Sequence, residues 1–376
     1  MTGWKFNKRF SLVVILTICL LLVILWISNS LKKEKLRIGL ILSLTGPLQD
    51  FGREVRDSAQ LTTKIINESG GVAGRKIELL IRDNKNSIEE TKKNLDELES
   101  QGIVALIGPV QSSVAAQLFP IINENKIPTF SPGAGSTKIP ELDDYFFRMR
   151  SSNRDDAQML CELMKRKSLK NISFVYDLQL KIFGLDLLEN LQTTCPNLIL
   201  YKYEIDLTKI KYKRSAEEIL KNRPQAVVLA TDFFASALLI QHLKNLSENV
   251  LIILTPRARI HKIIERVGKR KAEGIMAIEL IDFEYKGKEF LRFKEEFKKK
   301  YGYLPGFLAV YTYESLMIIK KALEKNPSPA ELKDTILKIR EFEGLQGKVI
   351  IDRNGNTIRK PLILIIKDSK LERLDE

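Results

Sequence analysis

The chain is poor in the residues that carry most enzyme chemistry. Its 376 residues include two histidines, His242 and His261, three cysteines and two tryptophans. Each histidine sits in a helical apolar pattern with no carboxylate or cysteine at ligand spacing, which argues against a metal site or an imidazole base. CxxC, HExxH and GxSxG motifs are absent, and "GGVAGRK" lacks both the spacing of a P-loop and the hydroxyl after its lysine. "GAGSTK" begins like a dinucleotide fingerprint, but Lys138 stands at the third glycine position and the stretch follows a fourth strand rather than a first. "DRNGN" begins like a calcium loop without the closing glutamate and reads as a hairpin turn. A chain with no catalytic constellation is expected to bind rather than to catalyse, so no enzyme activity, cofactor or metal is expected.

The three cysteines decide little. Cys19 falls in an apolar run, while Cys161 and Cys195 either pair in an oxidising compartment or serve as small apolar residues. Charge of one sign is in excess, with 61 basic against 47 acidic residues and a net of +14. The signs are interspersed, as in "KGKEFLRFKEEFKKK", and no zinc finger or aromatic-basic RNA motif accompanies them. The excess therefore reads as a lysine-rich surface, with no nucleic acid as partner.

What is present begins with Phe10 to Leu31, 22 positions without a charged residue. A membrane-crossing helix needs about 20. Lys5, Lys8 and Arg9 precede it and Lys32, Lys33, Lys35 and Arg37 follow, so charge bias alone does not orient it. A short basic tail usually stays inside while a long domain translocates, which places residues 32–376 outside the cytoplasm, in the periplasm or on the extracellular face. Ser28 and Ser30 are spaced like a signal-peptidase site, so residues 1–35 are read as a basic tail plus either a retained signal anchor or a cleaved signal peptide.

From Leu36 strand and helix patterns alternate. "LRIGLIL", "RKIELLIRD", "IVALIG" and "IPTFS" are strands, and "VRDSAQLTTKIINES", "SIEETKKNLDELESQG" and "SSVAAQLFPIINEN" are helices between them. Ser87 caps the second helix, with Glu90 three residues on. After "DYFFRMR", a strand leading elsewhere, the alternation restarts and runs to "EGIMAIELID". Three helices follow at about 287–301, 307–325 and 329–340. Then "GKVIID" and "TIRKPLILIIKD" read as two strands around Asn354-Gly355. The pattern predicts an α/β protein with two doubly wound parallel-sheet lobes and a ligand cleft at the strands' carboxyl ends.

"LTGPLQDFG", "INESGGVAGRKIELLIRDN", "IGPVQSS", "IPTFSPGAGST", "DYFFRMRSS" and "FEGLQGKVIIDRNGN" occur in this order over about residues 36–367. In these the chain resembles the branched-chain-amino-acid class of ABC-transporter substrate-binding proteins. The resemblance implies a type I periplasmic-binding-protein fold, with three crossovers between the lobes. It also implies a small polar ligand, an amino acid or carboxylate, trapped between lobes, and an ABC permease or other membrane protein as partner. The expected division is 36–148 with 282–342 for lobe 1 and 149–281 with 343–376 for lobe 2. Gly70, Gly71 and Gly74 are expected to turn the chain rather than touch ligand.

By the same resemblance Phe51 lines the cleft, and Gln111 and Ser112 in "PVQSS" stand where a hydroxyl at a helix start grips the ligand carboxylate. Ser112 as a plain helix cap is the alternative. Gly133 matches a backbone contact. Gly135 stands in place of a carboxylate-gripping threonine, with Ser136 or bare N–H groups as substitutes. Phe183 matches a cleft tyrosine. Asp232 falls where relatives carry tyrosine, and Arg257 near the acid that pairs with the ligand ammonium. Either Asp232 takes the ammonium, with Arg257 on a ligand carboxylate or on Asp232, or the ligand is an acid that Arg257 binds. An Arg257 pointing to solvent is the third reading. A membrane-anchored sensor or degenerate binder, working through a protein partner, is the rival function.

Overall fold

The first strand, β1 (Leu36–Leu42), is almost wholly buried along its length, as a strand covered on both faces must be. The computed structural model describes residues 17–18 and 34–374. The candidate membrane segment at 10–31 lies outside them except at residues 17 and 18, and no helix among the described residues is long and apolar enough to cross a membrane.

In the first lobe β1 is followed by α1 (Gln49–Glu68), β2 (Ile77–Asp83), α2 (Ile88–Ser100), β3 (Ala105–Ile107), α3 (Ser112–Glu124), β4 (Thr129–Ser131) and β5 (Phe146–Arg148). Its five strands form one parallel sheet in the order β2-β1-β3-β4-β5. The order reverses beside β1, so the loops after β1 and β3 part there and leave a crevice, the usual ligand position in such sheets.

The second lobe runs α4 (Asn153–Arg166), β6 (Asn171–Asp177), α5 (Lys181–Thr194), β7 (Ile199–Ile205), α6 (Tyr212–Leu220), β8 (Ala226–Ala230), α7 (Phe233–Leu246), β9 (Leu251–Leu254), α8 (Ile260–Val267), α9 (Lys269–Ala272) and β10 (Met276–Glu279). The chain then crosses back. In α10 (Lys288–Tyr301), α11 (Phe307–Lys325) and α12 (Leu332–Ile339), the first two pack against α1. The hairpin of β11 (Glu341–Gly344) and β12 (Gly347–Ile350) follows, with β11 against α11. The last strands, β13 (Leu362–Lys367) and β14 (Lys370–Arg373), join the second sheet, whose order is β14-β13-β10-β9-β8-β6-β7. β13 pairs antiparallel with both β10 and β14, and so is the one strand of this sheet, among the described residues, that runs against the rest.

Two sequence expectations need correction. β12 pairs with β11 and β13 with β10, so Asn354-Gly355 does not join two strands of one hairpin. It makes a tight turn closed by an isolated bridge between Ile351 and Thr357, because the apolar run after it completes the second sheet instead. The capping box at α2 is half formed. Ser87 Oγ accepts from Glu90 N at 3.3 Å, but the Ser87 N–H donates to the Asn84 carbonyl at 2.8 Å rather than to the Glu90 carboxylate. The complete box stands at α4, between Ser152 and Asp155, and is worth about 1 kcal/mol.

Gly70, Gly71 and Gly74 all have positive φ, and a Cβ on Gly71 would lie 2.3 Å from the Arg75 carbonyl oxygen. They turn α1 into β2, as expected. Cys161 and Cys195 form a disulfide that ties α4 to the end of α5.

Candidate functional site

The first-lobe wall is built from two loops at strand ends. Gln111 is extended and precedes α3, but its amide donates to Ser43 Oγ at 2.9 Å instead of capping the helix. Ser112 opens α3, and its hydroxyl accepts from Ser136 N at 3.3 Å, so "PVQSS" and "FSPGAGST" are stitched together. Ser136 is fully buried, and its own hydroxyl accepts from Lys138 N at 3.1 Å. The Ser136 N–H is therefore spent on Ser112. The α3 N-terminus, with its positive dipole end, faces this loop.

Gly135 packs directly against a buried arginine. A Cβ there would lie 2.7 Å from Arg150 Nε, 2.8 Å from its Cζ and 3.0 Å from Asn153 Oδ1. Arg150 is fully buried, donates to Ser151 O at 2.8 Å, and forms an ion pair with the equally buried Asp156. The guanidinium occupies the volume a threonine side chain would need. The sequence reading missed Arg150 and Asp156. Their signal was "RMRSSNRDD", where a second arginine precedes a helix start that carries two acids.

Arg257 follows β9 in the turn Pro256–Ala258 and is 0% exposed, which excludes the solvent-facing reading. Its Nη2 donates to the Gly133 carbonyl at 3.0 Å. Its Cζ lies 5.2 Å from the Phe51 ring and 5.1 Å from the Phe183 ring, so a planar cation is held between two aromatic rings from different lobes. Among the described residues, Nε and Nη1 have no hydrogen-bond partner. Burial, helped by the neighbouring Arg150 charge, pushes its pKa down to about 9. A buried cation without an ion-pair partner costs several kcal/mol.

Asp232 does not supply that anion. Its Oδ1 caps α7 by accepting from Ala235 N at 2.9 Å, and no ion pair joins it to Arg257 among the described residues. The Asp232–Arg257 pair expected as one resolution is thus absent, because the carboxylate is engaged at the helix start. Asp177, which the sequence reading did not single out, ends β6 with Oδ1 accepting from Leu180 N at 2.9 Å and Oδ2 buried and unpaired. Burial raises its pKa to about 6, with Asp232 adding repulsion. His261 packs 4.6 Å from the Phe283 ring and His242 stacks at 6.5 Å on Tyr212.

Polar contacts join residues on either side of the cleft. Arg259 pairs with Glu54 at 3.0 Å, both buried, and lies 5.0 Å from the Phe51 ring. Glu54 also accepts from Gly306 N at 2.9 Å and Ala309 N at 3.1 Å, at the start of α11. Thr137 donates through its N–H to Asp186 Oδ2 at 2.9 Å, and Asn153 reaches the same oxygen at 2.7 Å.

Two α/β lobes closing on a lined cleft define the hinged, ligand-trapping class of proteins. The periplasmic binding protein family matches residues 35–366, and the chain belongs to that family, whose members are solute-binding proteins and not enzymes. The resemblance read from the sequence to its branched-chain-amino-acid class therefore holds. A Leu/Ile/Val-binding protein of Rhizobium johnstonii, BraC3, is 31% identical over 143 residues, 38% of either chain, so the aligned stretch spans well under half of that relative. LivJ of Streptococcus pneumoniae, a branched-chain amino acid transporter substrate-binding protein solved with isoleucine, superposes with a TM-score of 0.79 at 18% identity, over 90% of this chain and 98% of that one. A solute-binding protein of an ABC transporter from R. palustris, solved with benzoate, gives 0.78 at 17% identity, over 90% and 95%.

Proposed function

We propose that the chain is an extracytoplasmic solute-binding protein that captures a small carboxylate metabolite between its two lobes and presents it to an ABC permease. The observation that carries this is Arg257, buried between Phe51 and Phe183 with two unpaired N–H-bearing atoms and no carboxylate partner. A ligand ammonium at that place meets repulsion, whereas a carboxylate neutralises the site. Ser112 and the 133–136 loop form the opposite wall, beside the α3 N-terminus, which also favours an anion. The lobe division at 148/149, 281/282 and 342/343 is part of the same reading, with closure as the working motion.

The rival reading, a sensor acting through a protein partner, draws on one contact. Arg257 already donates to the Gly133 carbonyl, the backbone contact the resemblance assigns to ligand. A thermal-shift screen of the purified chain against small carboxylates and neutral amino acids separates the two. The transport reading expects a carboxylate to raise Tm by mass action, and Arg257→Met to abolish the shift. A shift from neutral amino acids alone, or no shift from any ligand, sinks it.

A further inference from the structure

Two of the chain segments that cross between the lobes meet at an isolated parallel bridge between Arg148 and Asn356, with Thr357 N donating to Arg148 O at 2.9 Å. Beside this bridge lies a cavity of about 210 Å3, lined by four arginines, Arg148, Arg150, Arg154 and Arg359, and by Thr357. Arg148 and Thr357 are 1% and 6% exposed. Arg148 Nε, Thr357 Oγ1, Arg150 Nη1 and Arg359 Nε are all buried without a hydrogen-bond partner among the described residues. Orphaned buried donors are rare, and a cluster on residues around one cavity calls for an occupant.

Three carboxylates also line the cavity, and each is already engaged. Asp155 accepts from Ser152 N and Oγ, both at 2.7 Å. Asp352 accepts from Asn354 N at 2.8 Å and Asn356 N at 2.9 Å. Glu141 accepts from Arg148 Nη1 at 3.2 Å and lies 3.8 Å from Arg154. Arg150 and Arg359 are also ion-paired, with the buried Asp156 and Glu314, so what the cavity leaves unmet is hydrogen bonding rather than charge, and the orphaned groups come from both crossing segments. We infer that this hinge cavity binds a small tetrahedral oxyanion, of the phosphate or sulfate kind, held by Arg148, Arg359 and the Thr357 hydroxyl, with Arg154 contributing from the exposed side. Guanidinium N–H groups and a hydroxyl approaching from different segments match oxygens that point in different directions. The site is separate from the Arg257 contact between the aromatic rings and does not depend on what the main cleft binds.

The test is calorimetric titration of the full chain with inorganic phosphate and, separately, sulfate at matched ionic strength. The expected result is saturable binding with a dissociation constant of about 1 mM or tighter. Thr357→Val and Arg154→Ala should each weaken it about tenfold, a loss of 1.4 kcal/mol, and Thr357→Ser should restore it. Arg154 is largely exposed, so its variant folds even where a buried substitution does not. Arg257→Met, in the main cleft, should leave anion binding unchanged. Preference for one anion over the other identifies which source occupies the site. Absence of saturable binding by either anion overturns the inference. So does binding that survives Thr357→Val and Arg154→Ala but disappears in Arg257→Met, which would put the anion in the main cleft.

Discussion

The guanidinium of Arg150 fills the space a side chain at position 135 would need, with Nε 2.7 Å from the place of a Cβ on Gly135. The glycine and the arginine are therefore one adaptation. Substituting Gly135→Thr, the residue the family resemblance places there, should destabilise the fold by about 1–3 kcal/mol through overpacking. Denaturant unfolding measures this, and an unchanged midpoint would show that Arg150 can move aside at no cost.

Arg257→Met should separate stability from binding. Replacing an unpaired buried cation by an apolar side chain of similar length is expected to leave stability unchanged or raise it by about 1–4 kcal/mol. The same change should weaken a bound carboxylate about 30-fold or more, since a buried charge partner is worth about 2 kcal/mol or more. Calorimetry against a carboxylate found in the screen, paired with thermal unfolding, reads both.

Glu54 and Arg259 form a buried pair 3.0 Å apart, between α1 and the turn after β9. Glu54→Gln leaves the arginine without its counter-charge and should cost about 3–5 kcal/mol. Small-angle scattering should show a larger radius of gyration if the pair holds the lobes shut. Lost stability without expansion would mean that the pair serves the fold of α1 and α11 rather than closure.

Asp177 predicts a pH dependence. Its carboxyl titrates at about 6 in the folded chain, against about 3.9 when unfolded. Between those values the folded state holds the extra proton. Its contribution to stability is therefore greatest at the acid end, and is lost as pH rises from about 4 to about 6, amounting to about 2–3 kcal/mol. The difference in unfolding free energy between wild type and Asp177→Asn, measured across that window, should follow this slope. A flat difference removes Asp177 as the titrating group.

The disulfide joins residues 34 apart in sequence. In the chain-entropy account a loop of that length stabilises by about 4 kcal/mol. Reduction, or the double change Cys161→Ala and Cys195→Ala, should lower the unfolding free energy by up to that amount.

The alternation of apolar strands with periodic helices was enough to read two parallel-sheet lobes, since burial on both faces leaves an unbroken run such as Leu36–Leu42. The glycine turn after α1 was legible for a comparable reason, because only positive φ fits there. Local pattern also placed "PVQSS" and "FSPGAGST" at strand ends. It did not say which strand the run after Asn354-Gly355 would join, since pairing partners are chosen by the whole sheet. Nor did it pair Cys161 with Cys195.

The site divides in the same way. Sequence brought Phe51, Ser112, Phe183 and Arg257 to notice as types of residue at particular places. The tertiary structure alone decided that Arg257 is buried between two rings, that Asp232 is spent as a helix cap, and that Arg150 takes the room beside Gly135. The physical reason is that charge and hydrogen-bond satisfaction depend on what surrounds a group in space. Arg148, Arg150 and Arg257 are indistinguishable as letters from the surface arginines of a chain with a net charge of +14. Only their removal from water, with some donors left unpaired, makes them point to an anion.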